Sequence, residues 1–375
     1  MKFSLKDVET PAVIIDRELL QQNIARGAAH ARNANIRLRP HVKSHKSVAI
    51  AKMQIEAGAH GITVAKSSEA LPFIKAGISD ITVAHPLVDR RKIARLLEVA
   101  GQHQTALTLI ADSQIGIDAI VEEASAKGVS VNIQMKIDVG LHRCGVDPSG
   151  NTALELARLI TDRTELRFAG ILSHAGHAYA AATADDVRHI AATERRLMLD
   201  VADRIQRAGI SVPSISIGST PTVWHNDGFD GISEIRPGNY VFMDLTQTSL
   251  DVVPQADIAL SVLATVISCN PTYAIIDAGS KVLSSDRGPH GSTRLSGYGR
   301  AFPAVDLEGP GMTVTSLSEE HGFVNHGGRQ LAVGTQLRIL PNHACPVVNL
   351  ARELFIIDPD GTRCVLPVDA GHAVL

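Results

Sequence analysis

Over the first two thirds of the chain, short apolar segments that end in polar residues alternate with longer amphipathic segments. Eight of the short segments fit buried strands, at 36–43, 61–65, 80–85, 107–112, 131–138, 170–174, 214–218 and 234–242. Helical patterns that end before a Gly occupy 47–56, 67–75, 91–100 and 186–207. Repeated strand–helix alternation predicts an α/β fold with a parallel, TIM-type (β/α)8 barrel, although an open doubly wound sheet would give the same alternation.

Helical periodicity fades after about residue 255. The runs 259–267, 273–277, 313–317, 336–339 and 353–357 are rich in β-forming residues and separated by Gly, Pro and Asn. They predict a mostly antiparallel C-terminal β domain. We therefore predict a barrel at 12–255 and a β domain at 256–375 that includes residues 1–11. The strand pattern at 11–16 precedes the eight, so it can instead pair with the β domain.

Composition and charge narrow the function classes. The 375 residues are 45% apolar, carry a formal net charge of −3 and contain no long basic run, which argues against a nucleic-acid surface or a polybasic membrane anchor. The first residues lack the pattern of a signal peptide, and no apolar run approaches the roughly 20 residues that span a bilayer. Four cysteines in a chain of this length do not suggest a disulfide framework. We expect a cytoplasmic protein with reduced thiols.

The first predicted barrel strand ends in a basic turn that contains Lys43. Active sites of such barrels lie at the carboxyl ends of the strands. Nearby cations and partial burial lower the pKa of an amine, which a lysine that forms a Schiff base requires. A solvated basic loop would have the same sequence, and the spacing alone does not decide between the two.

Other strand ends carry further candidates. The seventh strand runs into Gly218-Ser219-Thr220, a turn of small and hydroxyl residues. Its hydroxyls and free backbone N–H groups would suit a phosphate, and barrels commonly bind phosphate after strands seven and eight. An ordinary loop is the alternative.

His343 and Cys345 stand two residues apart in the predicted β domain. In an extended segment such residues point the same way, so one ion could touch both. Imidazole and thiol suit Zn²⁺ or another borderline-soft metal, and two protein ligands would leave positions open for substrate or water. A buried cysteine beside an unrelated histidine is the alternative.

Nine segments in consistent order resemble the family of D-threonine aldolases and D-serine dehydratases, within the alanine-racemase-like (fold type III) pyridoxal 5′-phosphate (PLP) enzymes. They are TPAVIID (10–16), RPHVKSHK (39–46), KIDVGLHRCGV (136–146), SHAGHAY (173–179), GSTPT (218–222), RPGNYVF (236–242), DAGSKVLSSD (277–286), LSEEHG (317–322) and PNHACP (341–346). Together they span nearly the whole chain.

The resemblance implies roles for particular residues. It implies that Lys43 binds PLP covalently and that His343 and Cys345 hold a divalent metal, one of Zn, Mn, Co or Mg. His177, with His174 as the second candidate, would be the acid/base group near the β-hydroxyl of the substrate. The remaining cofactor-binding residues that it implies are Arg143 against the ring, Gly218, Ser219 and Thr220 at the phosphate, Tyr179 nearby, Arg236 near the pyridine nitrogen, and Tyr240 in the same segment.

The resemblance also implies a lyase that acts on small D-β-hydroxy-amino acids. Dehydration of D-serine or 3-hydroxyaspartate would give a keto acid and ammonia, and retro-aldol cleavage of D-threonine would give glycine and an aldehyde. Cys345 favours dehydration, because aldolases of the family often have a carboxylate at that position. The alternatives are a racemase, with Tyr273 or Tyr298 as its second base, and a non-catalytic PLP-binding protein. We expect a homodimer in which one barrel faces the β domain of the partner.

Overall fold

The computed structural model describes residues 5–292, 294–358 and 360–374 and contains two sheets. In chain order the strands are β1 (Ala12–Asp16), β2 (Arg37–Leu38), β3 (Ile62–Val64), β4 (Asp80–Val83), β5 (Ala106–Ala111), β6 (Val131–Lys136), β7 (Leu166–Leu172), β8 (Ile215–Ile217), β9 (Glu234–Ile235), β10 (Leu260–Cys269), β11 (Ala274–Ile276), β12 (Gly299–Pro303), β13 (Met312–Leu317), β14 (Gly322–Asn325), β15 (Gln336–Pro341), β16 (Glu353–Ile357) and β17 (Arg363–Pro367). The α-helices are α1 (Arg17–Asn33), α2 (Val48–Glu56), α3 (Ser67–Lys75), α4 (Arg90–Gln102), α5 (Gln114–Lys127), α6 (Thr152–Thr161), α7 (Ala184–Arg207), α8 (Thr220–Trp224), α9 (Leu245–Ser249), α10 (Ser280–Leu283) and α11 (Ala344–Leu350).

The eight strands β2–β9 form one parallel sheet, in the order β2-β9-β8-β7-β6-β5-β4-β3. The two ends of this order meet, because His41 forms a parallel bridge with Thr63 and the Thr63 N–H donates to the Pro40 carbonyl at 2.7 Å. The sheet is therefore a closed barrel and not the open alternative. Each of the eight predicted segments contains or overlaps one of these strands, so the predicted fold class is confirmed.

One cluster of buried charges inside the barrel is internally paired. Arg39, directly after β2, donates from Nε to Glu234 Oε2 at 2.8 Å and from Nη1 to Asp80 Oδ1 at 2.6 Å. These contacts link the ends of β2, β4 and β9. A buried charge is tolerated when it is paired and hydrogen-bonded, so this cluster has a structural explanation without any ligand.

Helix ends follow from local capping. The predicted helix at 186–207 begins two residues earlier, at Ala184, because Thr183 and Asp186 form a reciprocal capping box. The Asp186 N–H donates to Thr183 Oγ1 at 3.1 Å, and the Thr183 N–H donates to Asp186 Oδ2 at 2.9 Å. Helix α7 ends just before Gly209, as the sequence predicts. Among the described residues, no helix combines the length and apolar character that a membrane crossing would need.

The second sheet is mostly antiparallel, in the order β11-β14-β13-β12-β15-β10-β1-β16-β17. Its strand β1 pairs antiparallel with β10 and parallel with β16. We predicted a barrel that begins at residue 12, but strand β1 lies in the second sheet. This agrees with the alternative prediction that segment 11–16 pairs with the β domain. From β1 the chain passes into the barrel, and it returns to the second sheet at β10.

Candidate active site

A cavity of about 410 Å³ lies where the carboxyl ends of the barrel strands face the β domain. The barrel contributes His41, Lys43, Lys46, Glu69, His174, Tyr179, Ser219, Thr220, Arg236, Gly238 and Asn239 to its lining. The β domain contributes Asp286, His290, His343, Cys345 and Asn349. Residues that are distant in sequence thus face one space, and its volume is in the usual range for a small-molecule site.

Lys43 lies in a short 3-10 helix, Val42–Ser44, that follows β2. His41 caps this turn, and Ser44 Oγ donates to the Gly238 carbonyl at 2.7 Å, which fixes the turn against the segment after β9. Burial lowers the pKa of the Lys43 amine, and the Arg143 charge lowers it further, although Cys345 and Glu69 act in the opposite direction. Lys43 therefore has the lowered pKa that the sequence analysis expected of it.

The turn after β8 brings Ser219 and Thr220 to the cavity. Two of its backbone donors are already engaged, since the Gly218 N–H donates to Glu194 Oε1 at 3.3 Å and the Ser219 N–H donates to Thr222 Oγ1 at 2.9 Å. The expectation of free N–H groups is wrong for these two residues. Sequence analysis missed Glu194 because it lies on α7, far from the turn in sequence.

Arg236 and Tyr179 are fixed by contacts inside the barrel. The Arg236 guanidinium donates to Ser216 Oγ and to the Ser173 carbonyl. The Tyr179 side chain is buried, and this burial raises the pKa of its hydroxyl. Both side chains line the cavity, so the structure brings them together with Lys43.

Two other predicted cofactor residues lie elsewhere. Tyr240 is fully buried in the core, where its hydroxyl accepts a hydrogen bond from Gln54 Nε2 at 2.9 Å. Arg143 is exposed and does not line the cavity, but its charge acts on Lys43. The structure thus places Arg143 near the site and Tyr240 outside it.

The two predicted acid/base histidines occupy different places. His174 lines the cavity, with Nδ1 at 3.4 Å from the Gly218 carbonyl oxygen. The ring of His177 packs near Gly140 and is not among the lining residues. The structure therefore favours the second candidate, His174, over the first.

His343 and Cys345 lie at the start of α11, where His343 is the N-cap residue. His343 Nδ1 is 2.7 Å from Asp286 Oδ2. Burial lowers the pKa of His343, but Cys345 and Asp286 outweigh it and raise that pKa to about 10. Among the described residues no group of three or more His, Cys, Asp or Glu side chains has a metal-binding arrangement. The pair therefore stands as two potential ligands, with a carboxylate beside one of them.

Sequence analysis also missed Glu69, Asp286 and His290, although Asp286 lies in one of the segments that carry the resemblance. Glu69 is fully buried, and burial raises its pKa to about 7. Its Oε2 accepts the Ala65 N–H at 3.1 Å, while its Oε1 has no partner within the described structure. A Glu in the first turn of a helix suggests only capping, so nothing in the local pattern indicated a place in the cavity.

Comparisons with known proteins agree with this arrangement. A family model described as alanine racemase, N-terminal domain, matches residues 15–246, and a serine dehydratase domain model matches residues 259–357. The chain is 38% identical to D-threo-3-hydroxyaspartate dehydratase of Delftia sp. (strain HT23), over 92% of this chain and 93% of that protein. It is 30% identical to D-threonine aldolase of Arthrobacter sp., over 94% of this chain and 90% of that protein.

One solved structure is a cysteine-to-alanine variant of D-threo-3-hydroxyaspartate dehydratase in the metal-free form. Its TM-score to this chain is 0.91, with 35% identity over 97% of this chain and 98% of that one. The likeness therefore covers both domains and the cavity between them.

Proposed function

The chain belongs to the alanine-racemase-like family that joins this barrel to a serine dehydratase domain, and we propose that it is a PLP- and divalent-metal-dependent lyase acting on small D-β-hydroxy-amino acids. One observation carries the proposal: Lys43 of the barrel and the His343–Cys345 pair of the β domain line the same cavity. Relatives of the chain are named as lyases for such substrates.

The residues present fit PLP. Lys43 supplies an amine of lowered pKa at the cavity, Ser219 and Thr220 supply hydroxyls for the phosphate, and Arg236 supplies a fixed guanidinium for the ring side. Gly218 belongs to the same phosphate-binding turn. Its N–H donates to Glu194 Oε1, so Gly218 would shape the backbone of the turn. Bound PLP would withdraw electrons from the bonds at the Cα of the substrate.

The donor set also fits a divalent metal. The Nδ1 of His343 is held by Asp286, which leaves Nε2 as its ligand atom, and carboxylates commonly orient metal-binding histidines in this way. The Cys345 thiol adds a soft donor. The metal would act as a Lewis acid on the β-oxygen of the substrate.

The chain's own groups would supply binding and proton transfer. Since its pKa is lowered, the Lys43 amine is more often neutral and able to accept a proton from Cα. His174 presents an imidazole to the same cavity and would hold the proton of the β-hydroxyl. The walls of both domains would exclude water from these groups.

Dehydration is the outcome that Cys345 favours, because aldolases of the family often have a carboxylate there. Retro-aldol cleavage uses the same groups and is the second candidate, supported by the similarity to D-threonine aldolase. A racemase would need a second base, typically a tyrosine from the β domain of the partner. Tyr273 packs against Phe323, and Tyr298 lies under the Arg287 guanidinium. Racemisation would have no use for a metal at His343 and Cys345, which ranks it below the two lyase reactions.

We further propose a homodimer in the cytoplasm. Dimers are usual for fold type III enzymes, and the four cysteines are free thiols, as in a reducing compartment. Light scattering on the purified chain of 39.9 kDa tests the oligomeric state. A monomeric mass would contradict the dimer.

A substrate panel tests the lyase. D-serine, D-threonine and D-3-hydroxyaspartate are offered separately to enzyme loaded with PLP and Zn²⁺ or Mn²⁺, and keto acid and glycine are both assayed. Keto acid with ammonia identifies a dehydratase, and glycine identifies an aldolase. If the PLP-loaded protein forms neither keto acid nor glycine from any of the three substrates, the lyase is refuted. The non-catalytic PLP-binding protein is then the alternative that remains.

A further inference from the structure

We infer that Asp244 and Thr246 form a clamp that positions the proposed metal pair without binding the metal. This inference rests on the proposed function and deepens it, because it assigns the residues that fix the metal pair relative to the cofactor side of the cavity. Both clamp residues lie in the segment after β9 of the barrel, where Asp244 is the N-cap residue of α9 and Thr246 its second residue. The metal pair, His343 and Cys345, follows β15 of the β domain.

The clamp holds the main chain on both sides of His343. Before it, the Thr246 hydroxyl donates to the Asn342 carbonyl oxygen at 2.6 Å, and the Thr246 N–H donates to the same oxygen at 3.2 Å. After it, the Ala344 N–H donates to Asp244 Oδ2 at 2.9 Å. These two peptide groups flank the His343 Cα, so the clamp fixes the backbone of this residue at its φ of −139° and ψ of 111°.

The clamp is shielded from water. Its four members are each at most 2% exposed, and they are Asp244, Thr246, Asn342 and Ala344. A buried polar group that loses its partner cannot turn to water instead, and the loss costs about 1–3 kcal/mol. The hydrogen bonds of the clamp therefore favour one geometry of the segment that carries the metal pair.

Asp244 also connects the clamp to the cofactor side of the cavity. Its Oδ2 accepts a hydrogen bond from Asn239 Nδ2 at 2.6 Å, and the Asn239 N–H donates to Thr220 Oγ1 at 3.1 Å. Thr220 belongs to the turn that we propose for the cofactor phosphate. A continuous set of buried hydrogen bonds thus runs from that turn to the Ala344 N–H, between the two proposed metal ligands.

The side chain of His343 is held separately from its backbone. Its Nδ1 is 2.7 Å from Asp286 Oδ2, which orients the ring but leaves the main chain to the clamp. Cys345 follows in the first turn of α11, so its position depends on the same backbone. Ligands that are ordered before the metal arrives lose little conformational entropy on binding it, which strengthens binding.

The Thr246 hydroxyl gives the first test. Thr246→Val keeps the shape and the N–H bond but removes the 2.6 Å bond, whereas Thr246→Ser keeps the hydroxyl. The Co²⁺ dissociation constant is measured on PLP-loaded protein stripped of its native metal. The visible bands of bound Co²⁺, at longer wavelength than the cofactor band, report ligand geometry. Thr246→Val should weaken binding by about threefold to tenfold and alter these bands, and Thr246→Ser should match wild type.

Asp244→Asn tests the other half of the clamp independently. In the wild type, Asp244 Oδ1 accepts the Gln247 N–H at 3.1 Å while Oδ2 accepts the Ala344 N–H. Asn has a single acceptor oxygen and cannot serve both. Whichever bond is lost, the clamp is disturbed, because the Gln247 bond begins the helix that carries Thr246. Co²⁺ binding should weaken by about threefold or more.

Asp251→Asn is the matched control. It makes the same chemical change at an exposed position two residues after α9, and Asn tolerates the positive φ of 55° there. Its Co²⁺ affinity and bands should equal those of the wild type. In Thr246→Val the cofactor band should also stay at the wild-type intensity, which places the loss at the metal pair.

Two outcomes would overturn the clamp alone. One is wild-type Co²⁺ affinity and bands in both Thr246→Val and Asp244→Asn, even at a lower melting temperature, since a merely structural contact would change stability only. The other is an equal loss in Thr246→Ser and Thr246→Val, which would make packing the cause and not the hydroxyl.

The same measurements separate the clamp from the lyase. If wild-type protein binds no Co²⁺, the proposed metal pair is refuted and the clamp with it. If Co²⁺ binding depends on Asp244 and Thr246 yet neither keto acid nor glycine forms from any substrate, the lyase is refuted and the clamp remains.

Discussion

The reactivity of single residues in this cavity depends on how burial and neighbouring charges change their pKa values. Lys43 and Glu69 are the clearest examples, because burial favours the neutral form of both. An amine and a carboxyl that are both close to neutral can exchange protons with a substrate more readily than fully charged groups. Each residue gives a separate prediction.

PLP bound to a lysine absorbs at about 410–430 nm, and Lys43→Ala should abolish this band. The spectrum of protein purified with added PLP measures this loss. The control is Lys52→Ala, since Lys52 is exposed on α2 and should keep the wild-type band. An unchanged band in Lys43→Ala would remove Lys43 as the cofactor lysine.

Glu69 should make stability depend on pH. Burial raises its pKa from 4.5 to about 7 on folding, so the unfolded chain releases the proton first and the folded protein loses stability as pH rises through this interval. Glu69→Gln mimics the protonated form and should remove that loss. Relative to wild type, the variant should gain about 1–3 kcal/mol between pH 5 and pH 7.

The measurement is the unfolding free energy of both proteins at several pH values. Glu56→Gln, at an exposed position of α2, is the matched control and should follow the wild-type curve. Parallel curves for Glu69→Gln and wild type would show that the Glu69 carboxyl does not titrate in this interval.

At the scale of elements, the barrel depends on close contacts between neighbouring strands. The pairing of β6 with β7 changes register between Ile133 and Gln134, and Gly170 of β7 has a positive φ of 115° there. A Cβ on Gly170 would lie 2.0 Å from the Ser214 carbonyl oxygen. That contact is with backbone just before β8, so it cannot be relieved by a side-chain rotation.

Gly170→Ala should therefore destabilise the protein by about 2 kcal/mol or more, through both strain and collision. Gly101→Ala is the control, because its Cβ meets no atom within 4 Å and Ala in a helix should stabilise it by about 0.5–1 kcal/mol. Denaturant unfolding monitored by circular dichroism measures both. Equal stability of Gly170→Ala and wild type would contradict the tight packing of β7 on β8.

At the scale of the whole molecule, the site is divided between the domains. The barrel carries Lys43, the proposed cofactor lysine, and the β domain carries His343 and Cys345, the proposed metal ligands, while α11 contacts the turn that carries Lys43. The link is direct, since Lys46 Nζ donates to Asn349 Oδ1 of α11 at 2.7 Å. Because the proposed cofactor lysine and the proposed metal ligands are different residues of different domains, loss of metal and loss of cofactor should be separable.

Chelation of the metal should abolish turnover while the cofactor absorbance remains, because Lys43 is not a metal ligand. Added Zn²⁺ or Mn²⁺ should restore activity. Cys345→Ala should weaken metal affinity by about tenfold or more, whereas Cys269→Ala, at an exposed position of β10, should not change it. Full activity in protein shown by elemental analysis to be metal-free would refute the metal requirement.

The sequence by itself determined an α/β domain followed by a β domain, because the strand–helix repeats and the later β-rich runs record the periodicity of each element, whereas closure of the barrel was decided by the pairing of His41 with Thr63. It also proposed Lys43, His174 and the His343–Cys345 pair as site residues, and the structure places all four at one cavity. Tertiary structure decided what approaches them. Asp286 reaches His343 across 57 residues, Glu194 of α7 engages the Gly218 N–H, and His290 meets His174 over Gly176. Such contacts arise from packing between distant elements, so no local pattern in the chain could contain them.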